Sequence, residues 1–558
     1  MARDQIRKGR VRIAYLLRHW QLDRPTRYAM RTLKWAFPGS HALRGNQDAP
    51  RCGAMLPQRG QDLRSHAARG NEASSRGIRY LLVHGLAVLL TSCAVGPDYQ
   101  PPQPAMPERW GEAVPTNPAA SNDLAQWWRG FNDDRLNRLV ERALQGNLDL
   151  KAAGARIQAA RAQRDATDAE RWPSVNASSA FQRQRISPNA LLGTFGSMQG
   201  GGQSKSGLLS SLGPIGTPFN LFQAGFDSSW ELDLFGGIRR QQEAAAANAE
   251  AITESLRDVQ VSLAAELVRN YLELTALHSR LAIAEDNVKN QRQVLVLAEA
   301  GFQEGMATAL DVQRAQAELE TAESAISPIA AQIKNTRHAL ALLAGLPPAG
   351  LDAELAEVQA AIPVPPAVQP GMPSDLLRRR PDIRQAERTV ASASASIGAA
   401  VAELFPKLSL TGTAGFQSQD LSNFTSLSSG FYGFGPRLSL PIFQAGRLLA
   451  NIDAQESRHQ EALATYEKSV LAALREVEDG LATMQGEHGR RLALENAEQS
   501  ARKAAETAQV YYTEGEADLS SVLDSRRSWH NAREQLAQSR LAWATAHVAL
   551  FKALGGGW

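Results

Sequence analysis

Two periods alternate along this chain. In residues 407–416, KLSLTGTAGF, Leu408, Leu410, Ala414 and Phe416 share one face of an extended chain, and Ser409, Thr411 and Thr413 share the other. A period of two predicts a strand with one apolar face. Residues 431–443 continue the pattern, with Tyr432, Phe434, Leu438, Leu440 and Ile442 alternating with Gly433, Gly435, Arg437 and Ser439. Earlier in the chain, Phe222, Ala224, Phe226, Trp230, Leu232 and Leu234 oppose Gln223, Asp227, Glu231 and Asp233, and Val175 to Phe181 gives a weaker fourth strand. Four strands of about ten residues, each with one apolar face, match barrel strands that cross a membrane. A soluble, half-buried sheet alternates identically, so the pattern alone does not choose between them.

Between and after the strands the period lengthens. Residues 238–304 contain no proline. At 1.5 Å per residue a helix of that length reaches about 100 Å, far beyond a globular helix. Val522, Trp529, Leu536, Trp543 and Leu550 fall seven apart, and three residues on stand the small Ser525, Ala532, Ser539, Ala546 and Ala553. That is a coiled-coil seam in which large side chains face small ones. Val312, Leu319, Ile326, Ile333 and Leu340 form the same seam 210 residues earlier, with Pro328 expected to kink it. Gly305 followed by Thr308, and Gly515 followed by Asp518, predict tight turns that each open a returning helix.

The correspondence extends along the chain. At a spacing of 233, Ala153 pairs with Ala386, Glu170 with Glu403, and Trp172-Pro173 with Phe405-Pro406. At 208, Leu234-Phe235 pairs with Ile442-Phe443; at 210, Glu266 pairs with Glu476 and Gly345 with Gly555. One duplication explains this, the shift in spacing falling in the Gly/Ser-rich stretch 185–221. The domains expected are a first repeat with its tether over 93–345, a Pro-rich linker over 346–374 and a second repeat over 375–558.

Charge changes the view of the N-terminus. Residues 1–80 hold 17 Lys and Arg against 5 Asp and Glu, leaving 43 against 52 beyond residue 92. The part after residue 92 is acidic, which argues against nucleic acid as a partner. Leu81 to Leu90 is apolar apart from His84 and Gly85, follows Arg76 and Arg79, and is too short to span a bilayer. It fits a secretory signal over 76–92, with residues 1–75 a basic, disordered extension or an over-long gene start. Leu90-Thr91-Ser92-Cys93 is similar to a bacterial lipobox, making Cys93 the lipidation candidate; the other cysteine, Cys52, lies ahead of the cut.

No HExxH, paired CxxC or GxSxG marks an enzyme. GGGQSKSG (200–207) lacks the glycine before Lys205 that a phosphate loop requires, and the eight methionines do not cluster. No cofactor or metal is expected beyond a covalent lipid on Cys93.

DLLRRRPDIRQAE (375–387) resembles the hallmark of the TolC-like outer-membrane efflux proteins, in the NodT/OprM-like lipoprotein branch. CAVGPDYQPP from Cys93, WWRGFNDDRLNRLV (127–140), WELDLFGGIRR (230–240) and LSLPIFQAGR (438–447) are similar to the family's other blocks, from Cys93 to the C-terminus. Within the hallmark, Pro381 suits a first helical turn, and Arg378 to Arg380 are expected to be a solvated helix entry. The resemblance implies a mixed α+β fold, with four strands per chain closing a trimeric, 12-stranded transmembrane β-barrel that a long periplasmic helical barrel continues. It further implies a passive conduit for small molecules such as drugs and toxic compounds. Its partners would be two further copies, a periplasmic adaptor (membrane fusion) protein, an inner-membrane resistance-nodulation-division pump and outer-membrane lipid. Asp227, Glu231 and Asp233 would face the lumen, and Tyr512, Asp524 and Arg527 would form the gate at the periplasmic tip. Metal export, type I protein secretion and a non-conducting coiled-coil lipoprotein remain as alternatives.

Overall fold

The computed structural model describes residues 94–112, 124–185, 218–356 and 360–558. After the segment 94–112 and a short helical turn (Trp127–Phe131) come α1 (Asp134–Gly146), α2 (Leu148–Ala169), β1 (Ser174–Gln184), β2 (Phe219–Leu232) and α3 (Gly237–Gln303). Then follow α4 (Ala309–Ser324), α5 (Ile326–Leu343), α6 (Pro381–Ala402), β3 (Lys407–Ser418), β4 (Gly430–Ser439), α7 (Arg447–Thr513) and α8 (Leu519–Ala553). The order α2-β1-β2-α3-α4-α5 recurs as α6-β3-β4-α7-α8, so the duplication seen in the sequence is a duplication of structure. Both α3 and α7 are 67 residues long.

The strands form one antiparallel sheet in chain order, with β1 and β4 at its edges. The returning helix of the first repeat breaks at Ala325, three residues before Pro328, whereas α8 runs unbroken for 35 residues. A ring at 328 clashes with the carbonyl four residues earlier, which ends the preceding helix. Among the described residues no helix is long and apolar enough to cross a membrane.

The main core lies along the middle of the long helices. Trp127, Leu136 and Leu139 pack there with Val268 and Leu272 of α3 and Val477 of α7. In the α8 seam Val522, Leu536 and Leu550 are buried. Trp529 and Trp543 sit half-buried at its rim, because an indole N–H needs a partner and a flat ring accepts a cation. Trp529 Nε1 donates to Glu498 (2.8 Å), and the Arg491 guanidinium lies 4.7 Å from the Trp543 ring.

The hallmark arginines correct the expectation of a solvated helix entry. Arg378 is solvated and holds Asp375 (3.1 Å), but Arg380 is only 8% exposed. Its guanidinium donates to both carboxylate oxygens of Asp382 (3.0 and 2.7 Å), to Glu476 of α7 (2.8 Å) and to the Ala553 carbonyl at the end of α8 (2.8 Å). A buried cation survives only with such a set of acceptors.

Nor is the segment after residue 93 a loose tether. Val95 N–H donates to the Phe235 carbonyl (3.1 Å), Asp98 accepts from the buried Arg240 (2.6 Å), and Tyr99 donates to Glu387 (3.0 Å). Further on, Trp110 Nε1 donates to the Gly371 carbonyl (2.8 Å), and Glu478 of α7 accepts from the amides of Gly111 and Glu112. The segment is a strap that crosses α3, α6 and α7.

Candidate functional site

Two regions can carry function: the sheet and the helical tips. The register fixes the faces of the sheet, because paired residues on neighbouring antiparallel strands point the same way. Asn176 pairs with Asp227 and Asp227 with Thr413, while Glu231 pairs with Ser409 and Ser409 with Arg437. One face thus carries Ser, Thr, Asn, Gln or charged residues on all four strands, with Phe219, Leu221 and Phe431 on it at the end away from the helices. On the other face Phe181 pairs with Phe222, Trp230 with Leu410, Ala414 with Tyr432 and Leu408 with Leu438. This apolar face is uncovered, with Tyr432 82% and Phe434 87% exposed. A soluble half-buried sheet covers its apolar face; this one offers it outward, as a lipid-facing wall does.

Asp227 and Glu231 lie on the polar face. Asp227 accepts from Asn176 (3.1 Å), and Glu231 lies 3.9 Å from the Lys407 ammonium. Asp233 stands one residue past the end of β2. Its carboxylate accepts the amides of Ile238 (3.2 Å) and Arg239 (2.9 Å), so it caps the start of α3 instead of continuing the strand pattern. The loop over 185–221 lies almost wholly outside the described residues, as does Cys93. Val95, two residues after Cys93, is fixed at the joint between β2 and α3.

At the tips the two repeats make the same turn. Gly305 and Gly515 adopt left-handed φ values of 78°. Met306 N–H reaches back to Gly301 O and Glu516 N–H to Tyr511 O, both at 2.8 Å, closing each helix in the same way. The caps that follow differ. Thr308 and Asp311 form a reciprocal capping box, and hydrogen bonds from the Thr308 hydroxyl and amide hold the Asp311 carboxyl below the usual carboxylate range. Asp518 occupies the cap position of α8, but its side chain makes no capping bond.

Tyr512 packs on the tip cluster of Val294, Ala298, Ala315, Leu519, Val522 and Leu523, and burial raises its phenol above the ordinary value, with Asp311 adding to the shift. Arg527 pairs with Asp524 (3.3 Å) and also with Glu318 of α4, a partner that sequence reasoning missed. Asp524 and Arg527 are thus neighbours, while Tyr512 belongs to the apolar cluster beside them. No spacing rule points to Glu318, since the pair joins two hairpins 209 residues apart.

A two-faced sheet continued by paired helical hairpins of this length defines the protomer of an outer-membrane channel with a periplasmic helical domain. The chain belongs to the outer membrane efflux protein family, whose model matches residues 139–346 and 372–556. It is 31% identical over 484 residues to the cation efflux system protein CusC of Escherichia coli O6:H1, covering 86% of this chain and 98% of that protein. It is 32% identical over 491 residues to the probable efflux pump outer membrane protein TtgC of Pseudomonas putida, covering 85% and 94%. Among solved structures, the outer-membrane channel OprN superposes with a TM-score of 0.74 at 35% identity, covering 84% of this chain and all of that one. The protein is an outer-membrane channel of the tripartite efflux class.

Proposed function

We propose that three copies of this chain close one 12-stranded barrel and form a passive conduit for small organic molecules, drugs and toxic compounds among them. An inner-membrane pump of the resistance-nodulation-division type supplies the energy, and a periplasmic adaptor engages the tips. The observation that carries the reading is the sheet: an exposed apolar face, a polar face and two unpaired edges. In a bilayer every backbone N–H and C=O must find a partner, so four strands cannot stand alone there. Joining β4 of one copy to β1 of the next removes the edges, and three copies give an even strand number in the range that barrels use. The polar face, with Asp227 and Glu231, then lines the lumen, and Asp233 lies at its base.

Cys93 is the proposed lipid attachment site, and the fixing of Val95 supports it. The acyl chains would enter the membrane beside the base of the barrel, each buried CH₂ contributing about 0.8 kcal/mol. Tyr512, Asp524 and Arg527 are the proposed gate residues. The test is native mass spectrometry of the detergent-extracted protein, with conductance in a planar bilayer. A trimer of protomers that begin at an acylated Cys93, and that conducts, is expected. A non-conducting monomer that retains residues 1–92 would sink the reading.

A second reading, metal-ion export, is favoured by the likeness to a protein named for cation efflux. Susceptibility of a deletion strain to organic antimicrobials and to a panel of metal cations separates the two.

A further inference from the structure

The apolar face of the sheet is not a plain wall. Ala177, Phe226, Ala414 and Tyr432 lie in one cross-strand row, and Ser179, Ala224, Phe416 and Gly430 lie in the next row away from the helices. Large and small side chains thus alternate in both directions. Ala224 and Ala414 share one diagonal, Phe226 and Phe416 the other, and both rings are exposed. A trough floored by methyl groups therefore runs between two aromatic rings. It is part of a groove of about 820 Å³ that Tyr432 and Leu427 extend on the β4 side. A narrow floor between rigid walls suits a slender apolar chain, which fills it with close contacts on three sides.

Further from the helices the same face ends in a charge. The Phe181 and Phe222 rings stand above the trough with their centroids 4.9 Å apart, and Arg183 follows on β1. The other charged residues of the four strands, Asp227, Glu231, Lys407 and Arg437, all belong to the polar face. A cation on a lipid-facing wall is costly at the bilayer midplane and tolerated at the level of the head groups. Arg183 is exposed, and Arg185 stands exposed two residues on. The six residues from Ala177 to Arg183 rise about 20 Å along the strand, or about 15 Å along the membrane normal at the usual tilt. That is half of a hydrocarbon core of about 30 Å, the depth of one leaflet. Since the helical domain is periplasmic, this leaflet is the outer one.

We propose that the groove is a binding site for a phosphorylated, acylated glycolipid of the outer leaflet. One acyl chain lies in the trough between Phe226 and Phe416, and Arg183 and Arg185 hold a phosphate above it. Charge selects this occupant: a neutral lipid leaves the outward guanidinium without a counter-charge, whereas a phosphate accepts from it in bidentate fashion. The whole site lies within one chain, so each copy in a trimer carries its own. The proposal rests on reading the apolar face as the outside of the barrel.

The test is native mass spectrometry of the full protein, stripped of lipid in mild detergent and titrated with lipid A and, separately, with phosphatidylglycerol. One lipid A per protomer is expected, retained about tenfold more tightly than phosphatidylglycerol. Arg183→Ala/Arg185→Ala should weaken lipid A retention about tenfold or more, and Arg183→Lys should weaken it less. Ala224→Leu/Ala414→Leu fills the trough and should also weaken it; if that variant fails to assemble, the arginine variant decides alone. Conductance in a planar bilayer should be unchanged throughout, since none of these side chains faces the lumen. Lipid A retention that survives the arginine substitutions overturns the site, and equal retention of phosphatidylglycerol overturns the glycolipid as its occupant. An unaltered protein that neither assembles nor conducts overturns the channel reading instead, and retention of lipid A by the single chain then still decides the groove.

Discussion

The joints at which α2 and α6 begin occupy corresponding places in the two repeats and are built from different chemistry. In the first, Asn147 caps α2, its carboxamide oxygen accepting from Asp149 and Leu150 N–H, and its amide donates to the Leu343 carbonyl (2.9 Å). In the second, Arg380 precedes α6 and donates to the Ala553 carbonyl (2.8 Å), 210 residues beyond Leu343. The glycines beside them match as well. A Cβ on Gly345 would stand 2.4 Å from the Gly146 carbonyl oxygen, and one on Gly555 would stand 2.8 Å from that of Arg379. The backbone demand is shared: the start of one helix must be tied to the end of another at a distance that admits no side chain.

The two solutions differ in reach. A neutral amide satisfies itself locally and joins two helices. A guanidinium must be neutralised, so the second joint recruits Glu476 of α7 as a third. The corresponding Glu266 of α3 stays exposed. Trp558 reinforces this joint by donating to the Arg379 carbonyl (3.0 Å) beneath the guanidinium of Arg257 (4.5 Å). The second hairpin thus has the more heavily tied root.

The sharpest way to break the comparison is Arg380→Ala. It strands Glu476 and Asp382 and should cost about 3–5 kcal/mol, read as a lower melting temperature and loss of assembled protein. Asn147→Ala removes a cap and leaves a buried carbonyl unmet, so about 1–2 kcal/mol is expected by the same melt. At the tips Thr308→Ala should cost about 1 kcal/mol locally, seen as faster amide exchange at 308–312. Asp311, depressed by its bonds from Thr308, adds stability above its unfolded value near 4, and that share is lost as pH falls through the lower folded value. Exchange at this turn should therefore rise on acidification by more than at the second turn. Asp518→Ala should change nothing beyond about 0.5 kcal/mol, since its side chain makes no cap.

Much of this architecture was legible in the sequence because it depends on period. The 67-residue span expected over 238–304 falls within one residue of α3, and the break before Pro328, the tip turns and the four strands follow from spacing and local stereochemistry. The polar-or-apolar logic of the sheet was legible too, although its environment was not: alternation is the same against water or lipid, and only the uncovered apolar face separates them. Partners chosen by a single side chain across the fold stayed hidden. Arg380 reads as one of three surface arginines until Glu476 and Ala553 are brought beside it. Asp233 reads as a strand residue until the chain turns one residue earlier, and the strap 94–112 reads as a linker because proline-rich sequence carries no record of what it lies against.

The open edges of the sheet also set an order of events in time. A chain that exposes unpaired strands at both sides cannot leave water for lipid alone without abandoning a row of hydrogen bonds. Its long helices and main core carry no such debt and can form in a single copy. Biogenesis should then run from the helices towards the membrane, with the sheet as the last part to become native. Its rate should depend on how many copies are present, so that scarcity delays insertion well before it affects folding.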